Sequence, residues 1–495
     1  MKKQSFLYGA AVLAAASLLC KILSAVMKIP LDRFFLHEEG IAVYQSAYSI
    51  YNVFLAFCVT GIPIALSSLV ASKSDEEGAR LSKSTFVFVT AFCALCAALL
   101  FLFAKPLALL LSGGERAEAE LSLKILAPAL LSMGIISSRR GYFQGKRDMF
   151  PSAVSQISES FIKVVLGIFL CSVLVKKGIS YGAFGAMCGV AAGALLSALS
   201  LEIFYRKTVK VKEKADFKGA MEVIKLSLPM TLGAFGFTGV MLIDSLTSAK
   251  ILAQNGMELL ERLKMFGYLT RANTVYNLPA TVITAFTASA VPALSYALSR
   301  GKEEELSENA LRALKLIFLV AFPCAFGMIL FSKEILLLLY GSSSHHYLLM
   351  LTGVLILIMP YIQTTTAMLQ SLGKVWLPIF LTLGAIALKG VLNFVLIKLF
   401  GIEGAPLATI GAFLPLFIIE SVLLFKDVKI KGAGKVVLKI TSGAFISCTG
   451  ARLIYVLRPS VVMLLISIAL AAALYGAFVI IFGLIKKDEF KKDTV

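Results

Sequence analysis

Lys21, Lys28, Lys163, Arg271 and Lys389 interrupt segments that are otherwise apolar, as do Glu159, Glu202, Asp244 and Glu420. A charge at the centre of a membrane-spanning helix costs about 2.5–3.5 kcal/mol on insertion scales, so each of these side chains must face a cavity or a partner. Ammonium and guanidinium groups in that position suit an anion such as a phosphate or pyrophosphate, whose oxygens accept charge-assisted hydrogen bonds. Lys21 and Lys28 are two helical turns apart and share a face. With Arg271 they define a cationic cavity, to which Lys163 adds a further basic group. Lys28 and Arg271 lie near the ends of their segments, where snorkelling to the interface is the competing reading. Glu159 and Lys163, one turn apart, are spaced to pair with each other. Glu202 and Glu420 fall near helix ends and read as structural. No catalytic constellation is present: His37, His345 and His346 lie in connections, no metal site is expected, and no P-loop motif occurs. The chemistry is binding and translocation, not bond-making, and no cofactor is expected.

The elements that must position these residues are long and apolar. Hydrophobic residues make up 58% of the 495 positions and the mean hydropathy is +0.87, too much apolar surface for one soluble core. Runs long enough to span a bilayer number about 14, near 6–29, 42–71, 84–104, 121–138, 152–175, 181–204, 222–249, 270–298, 311–331, 348–371, 376–397, 404–425, 435–457 and 461–485. Their period is helical or continuous, where a membrane β-barrel would alternate. The expectation is an all-α polytopic membrane protein with about 14 transmembrane helices.

The net charge of +19 sorts by side. With both termini cytoplasmic, inner connections hold roughly 27 Lys/Arg and outer ones roughly 10, the asymmetry of a multi-pass protein of the cytoplasmic membrane. The basic runs at 206–218, 139–147, 426–435 and the tail from Lys486 suit anionic lipid. They are short and pinned at the membrane, which excludes nucleic acid as a partner. All eight cysteines fall in apolar segments; Cys93 and Cys96 have redox spacing but read as packing residues. Met1-Lys2-Lys3 followed by an apolar run to Cys20 imitates a lipoprotein signal, but Leu19 is too large for the cleavage site, so the segment reads as a retained first helix.

The chain also repeats itself at an offset of about 226 residues. Tyr51-Asn52, Pro63 and Ser67 match Tyr276-Asn277, Pro292 and Ser295. Gln144, Gly145-Lys146 and Pro151 match Gln370, Gly373-Lys374 and Pro378, and Lys163 matches Lys389. Two parallel six-helix repeats follow, forming lobes at 1–205 and 222–425 joined by a basic linker at 206–221. A second linker at 426–434 leads to two extra helices at 435–485 and a basic tail at 486–495. Similar lobes with substrate between them suit alternating access. Gly185, Gly189 and Gly193, and Gly233, Gly236 and Gly239, read as close-packing positions.

Three segments carry a family resemblance: Cys20-Lys21-Ile22-Leu23 through Lys28-Ile29-Pro30, Arg139-Arg140-Gly141-Tyr142-Phe143-Gln144-Gly145-Lys146-Arg147-Asp148-Met149-Phe150-Pro151-Ser152, and Pro279 through Val291-Pro292-Ala293-Leu294-Ser295. Through them the chain resembles the multidrug/oligosaccharidyl-lipid/polysaccharide (MOP) exporter superfamily, in particular the stage V sporulation protein B branch and the lipid II flippases. The resemblance implies two lobes opening alternately and a cationic cavity for the pyrophosphate and sugars of a polyprenyl-linked glycan. It also implies a lipid-tail groove at the last two helices, with cell-wall synthesis proteins as further partners. The family's basic positions fall on Lys21, Lys28 and Arg271. Its sodium site corresponds to Asp244, Asn393 and Thr409, with Lys389 where a neutral ligand is expected. This implies an internal ion pair in which the Lys389 ammonium substitutes for the bound cation. Coupling to Na+, H+ or membrane potential stays open. The acid and arginine of the second flippase helix are missing between Tyr44 and Val70. Two further readings are a multidrug/cation antiporter and a scaffold for wall synthesis.

Overall fold

The computed structural model describes residues 6–209, 215–299, 302–430 and 432–484. Lys210, Lys212 and Lys214 of the basic linker and the whole basic tail lie outside the described residues, as do the side chains of Pro292 and Ser295. Described residues form helices α1 (Phe6–Pro30), α2 (His37–Leu55), α3 (Ile62–Ala71), α4 (Asp75–Leu102), α5 (Ala104–Ser112), α6 (Glu120–Gly145), α7 (Phe150–Leu174), α8 (Ile179–Thr208) and α9 (Phe217–Gln254). They continue with α10 (Leu259–Ser299), α11 (Glu303–Leu330), α12 (Ser332–Tyr340), α13 (His346–Ser371), α14 (Trp376–Phe400), α15 (Gly404–Asp427), α16 (Ala433–Leu457) and α17 (Val461–Ile481). No strand occurs among the described residues.

Each expected apolar segment lies on helix. By length and apolarity, nine helices among the described residues can cross a membrane, or ten if α9, bent by 63° between Gly233 and Thr238, counts as one span. The expected count of about 14 is not reached by this measure. Residues 376–427 register as one stretch although they hold two helices, and the segment at 42–71 is interrupted. That interruption is a π-helical turn at Ala56–Gly61, a wide turn that loosens the regular ladder of backbone bonds. Ser137 of α6 donates to the Cys58 carbonyl there, so the exposed acceptor is satisfied. Two short helices, α5 and α12, were not expected. They end at Gly113 and Gly341, whose φ of +80° and +76° suits glycine, at nearly the offset of the sequence repeat.

The chain separates into two compact units, Met1–Thr270 with Ile379–Ala408, and Arg271–Pro378 with Thr409–Val495. The boundary falls inside α10, not at the expected linkers 206–221 and 426–434. The reason is that α9 packs against α2, α3 and the turn between them, and so joins the first unit. At Gly61 an added Cβ would come within 2.8 Å of the Ser227 carbonyl of α9. The start of α10 also belongs there: Arg262, fully buried, pairs with Glu115, and Lys264 lies 3.5 Å from Glu39.

The glycines of α8 do what their spacing suggests. A Cβ at Gly185 would meet the Leu170 backbone of α7 at 2.7 Å, and those at Gly189 and Gly193 would strike the backbone at Gly167 and Glu159. Without a hydrophobic drive between helices in lipid, such backbone approach supplies the packing energy. We expect Gly189→Leu to destabilise the protein by about 1–3 kcal/mol, since α7 backbone cannot yield as a side chain can. Gly450→Ala, with open space around its Cβ position, should leave stability unchanged or slightly raised. Thermal unfolding of the two variants in detergent checks both.

Candidate functional site

In the first unit, α2 presents Tyr44, Gln45, Tyr48 and Ser49 on one face, and two lysines converge on it. Lys28 donates to Gln45 Oε1 at 2.8 Å, and its ammonium lies 5.7 Å from the centre of the Tyr48 ring. Lys163 of α7 donates to the Tyr48 hydroxyl at 2.9 Å and lies 4.7 Å from the same ring centre. Tyr44 stacks on Tyr48 with centroids 5.6 Å apart, and its buried hydroxyl has no partner among the described atoms. Beyond Gln45, Ser49 meets Ser245 of α9 at 2.6 Å. No carboxylate pairs with Lys28 or Lys163 among the described residues. Two cations thus share an aromatic platform without counter-charge, an arrangement that attracts an anion.

The expected Glu159–Lys163 pair does not form. Glu159 is taken by Arg140, whose Nη2 lies 2.9 Å from it while Nε donates to Ser155 at 3.0 Å. Arg139 similarly takes Glu202 at 2.9 Å and lies over the Tyr205 ring at 3.6 Å. The planar guanidinium reaches several acceptors at once and neutralises both acids, which leaves Lys163 to the tyrosine. Lys21, on α1 with Lys28, is exposed. Arg271 belongs to the second unit, buried, with its guanidinium 5.1 Å from the Tyr340 ring centre.

A second buried polar cluster joins α9 and α14. The Lys389 ammonium lies 2.7 Å from Asp244 Oδ1 and donates to Asn393 Oδ1 at 3.4 Å and to the Ala405 carbonyl at 3.3 Å. Asn393 donates at 2.9 Å to both Asp244 Oδ1 and Thr247 Oγ1. Lys389 and Asn393 have no solvent exposure and Asp244 has 4%. Thr409 is buried in the second unit. Lysines 226 residues apart therefore have different fates: Lys389 is neutralised by an acid, whereas Lys163 meets the hydroxyl and ring of Tyr48.

Sequence reasoning missed Tyr48, around which the two lysines gather. The signal was present in Tyr44, Tyr48 and Tyr51, whose spacing by four and three puts them on one helical face. It also missed that Arg139 and Arg140, in the most specific motif, point into the helix bundle and not into a loop.

The family model for polysaccharide biosynthesis proteins matches residues 6–298. The chain belongs to this family. A MatE family model matches residues 268–395, and the membership places the protein in the MOP exporter superfamily. Stage V sporulation protein B of Bacillus subtilis (strain 168) is 29% identical over 99% of this chain and 98% of that protein. The lipid II flippase MurJ of the same organism is 23% identical over 81% of this chain and 79% of its own length. Among solved structures, the lipid II flippase MurJ in an inward closed conformation aligns over 95% of this chain and 98% of its own, with 17% identity and a TM-score of 0.73. An inward-facing multidrug resistance MATE transporter aligns over 84% and 96%, with 16% identity and a TM-score of 0.66. These structures share the fold. The family member described here is an integral membrane protein of the flippase and transporter type, not an enzyme.

The Lys389–Asp244 pair should behave as one unit. Lys389→Met alone strands a buried carboxylate and should cost about 3–5 kcal/mol, whereas adding Asp244→Leu should recover most of the loss. A thermal-stability cycle of the wild type, both single variants and the double variant measures this coupling.

Proposed function

We propose that this protein is an alternating-access flippase for an undecaprenyl-pyrophosphate-linked glycan precursor, of the lipid II type used for peptidoglycan or spore cortex. The observation that carries the reading is the pair of uncompensated lysines, Lys28 and Lys163, on the Tyr48 platform. A pyrophosphate offers oxygens enough to engage both ammonium groups and to neutralise their repulsion. Lys21 and Arg271 are the further basic positions that the family resemblance implies for the cargo. Similarity to the lipid II flippase and to stage V sporulation protein B supports the cargo class.

The antiporter reading is weaker on the same chemistry. An organic cation needs an available acid, and the deep acids here are engaged. Glu159 and Glu202 are held by arginines and Asp244 by Lys389, and Glu420, bonded to threonine hydroxyls, has no solvent exposure. Alternating access would open the site to each side of the membrane in turn. The exposed apolar faces of α16 and α17, including Leu438, Phe445, Leu453 and Val462, would hold the lipid tail. Both termini would then be cytoplasmic, with the basic connections against anionic lipid. Wall-synthesis proteins supply and use such a cargo.

Translocation of lipid II in proteoliposomes tests the reading. Lys28→Ala and Lys163→Ala should each lose about 10- to 150-fold in transport, the equivalent of one charged hydrogen bond of about 1.5–3 kcal/mol. Lys21→Ala and Arg271→Ala should also slow it. Wild-type rates in all four folded variants would remove the cationic site. We also expect wild-type transport to be indifferent to sodium, because Lys389 occupies the cation position beside Asp244. Lys389→Asn should introduce a sodium response, and an unchanged response would count against a tethered cation.

A further inference from the structure

Glu420 of α15 has no solvent exposure, and α13 supplies its partners. Thr366 Oγ1 donates to Oε1 at 2.7 Å, and Thr365 Oγ1 is hydrogen-bonded to Oε2. The positions 226 residues before Thr365 and Thr366 are Arg139 and Arg140. In the first copy of the repeat these arginines neutralise Glu202 and Glu159. In the second copy threonines stand in their place, and a buried acid faces them without a counter-charge. Removing an ionised carboxylate from water costs several kcal/mol, and two hydroxyl donors return less than a guanidinium does.

Counting protons gives an arrangement in which no group need carry a charge. The Thr365 hydroxyl carries one hydrogen but meets three oxygens: the Tyr361 carbonyl at 3.1 Å, the Ile362 carbonyl at 3.1 Å, and Glu420 Oε2. Its hydrogen can sit between the two carbonyls of its own helix, as threonine hydroxyls commonly do. The bond to Glu420 then needs a second proton, and the carboxyl group is the place to carry it. A neutral Glu420 donates through Oε2 to Thr365 and accepts through Oε1 from Thr366, so every group is satisfied. From these positions we infer that Glu420 is a proton-binding site, held here as a neutral carboxylic acid that ionises when water reaches it.

The surroundings fit a proton as the ligand. Among the described residues no charged side chain pairs with Glu420. Tyr361 of α13 is the titratable group facing it, and its hydroxyl meets Ser421 at 2.8 Å. Arg312 and Lys315 lie on α11, which packs against α13, and each has interactions of its own. Asp427, at the end of α15, is occupied by Lys374 at 2.6 Å. Glu420 lies two turns inside that end, about 10 Å along the axis, a short route for a proton once the helices part. Binding releases no other ion: one proton adds to the carboxylate, the buried charge vanishes, and the packed form of α13 and α15 is favoured. Release favours a hydrated form. Coupling of this step to cargo movement rests on the flippase reading; the proton site itself does not.

Infrared difference spectra of the purified full chain, taken between acidic and alkaline buffers, test the site without any substrate. Wild type should show the carbonyl stretch of a protonated carboxylic acid at neutral pH. Glu420→Gln keeps the size and the threonine contacts and should remove that band. Identical wild-type and Glu420→Gln spectra in this region would overturn the proposal. Coupling is read in proteoliposomes with an imposed pH gradient, where lipid II transport by wild type should respond to the gradient and transport by Glu420→Gln should not. Equal responses would overturn the coupling. If the wild type moves no lipid II while the infrared band depends on Glu420, the cargo assignment fails and the proton site stands.

Discussion

Hydrocarbon offers no water to solvate a charge, and the interior of this protein is organised around that constraint. Each deep ionisable side chain has found a distinct solution. Arg139 and Arg140 close onto Glu202 and Glu159 in networks completed by serines and tyrosine. Lys389 closes onto Asp244, with Asn393 bridging the acid to Thr247. Glu420 relies on hydroxyls alone. Among the described residues, Lys28 and Lys163 are matched by an amide oxygen, a tyrosine hydroxyl and a ring face. The first two solutions consume their own charge and leave nothing for a ligand. The last two leave an electrostatic need, and they are where a substrate anion and a proton have something to gain.

The sequence offset of about 226 residues sets these contrasts side by side. Lys163 and Lys389 occupy equivalent sequence positions, yet one is an internal ion pair and the other a free cation on a tyrosine. Arg139-Arg140 and Thr365-Thr366 are equivalent too, yet only the first copy supplies counter-charge. A packing device recurs at a similar offset: α5 and α12 are short helices that each end at a left-handed glycine.

Packing sets how well these groups are held. The α7–α8 contact lets backbones approach through Gly167, Gly185, Gly189 and Gly193, and so fixes the face from which Glu159 and Lys163 project. The π-helical turn after α2 follows Tyr48 and Tyr51, and Ser137 of α6 reaches its Cys58 carbonyl. Neither device carries charge, and the first sets the packing of the helix that bears Glu159 and Lys163.

The sequence by itself determined the helical segments, the family and the identity of the deep charges, because each follows from local hydrophobicity or from exact motifs. It also pointed to Asp244 and Lys389 as partners, through the resemblance of Asp244, Asn393 and Thr409 to a family sodium site in which Lys389 takes a neutral ligand's place. Only the tertiary structure decided that Glu159 goes to Arg140 and not to Lys163, although the closer spacing in the chain favours the latter. Helical periodicity says which residues share a face but not which neighbouring helix that face meets. For the same reason Tyr48 was invisible as the meeting point of Lys28 and Lys163, and Glu420 read as structural until Thr365 and Thr366 were found against it. The division of the chain inside α10 was likewise beyond sequence, because it depends on where α9 packs and not on where the apolar segments begin and end.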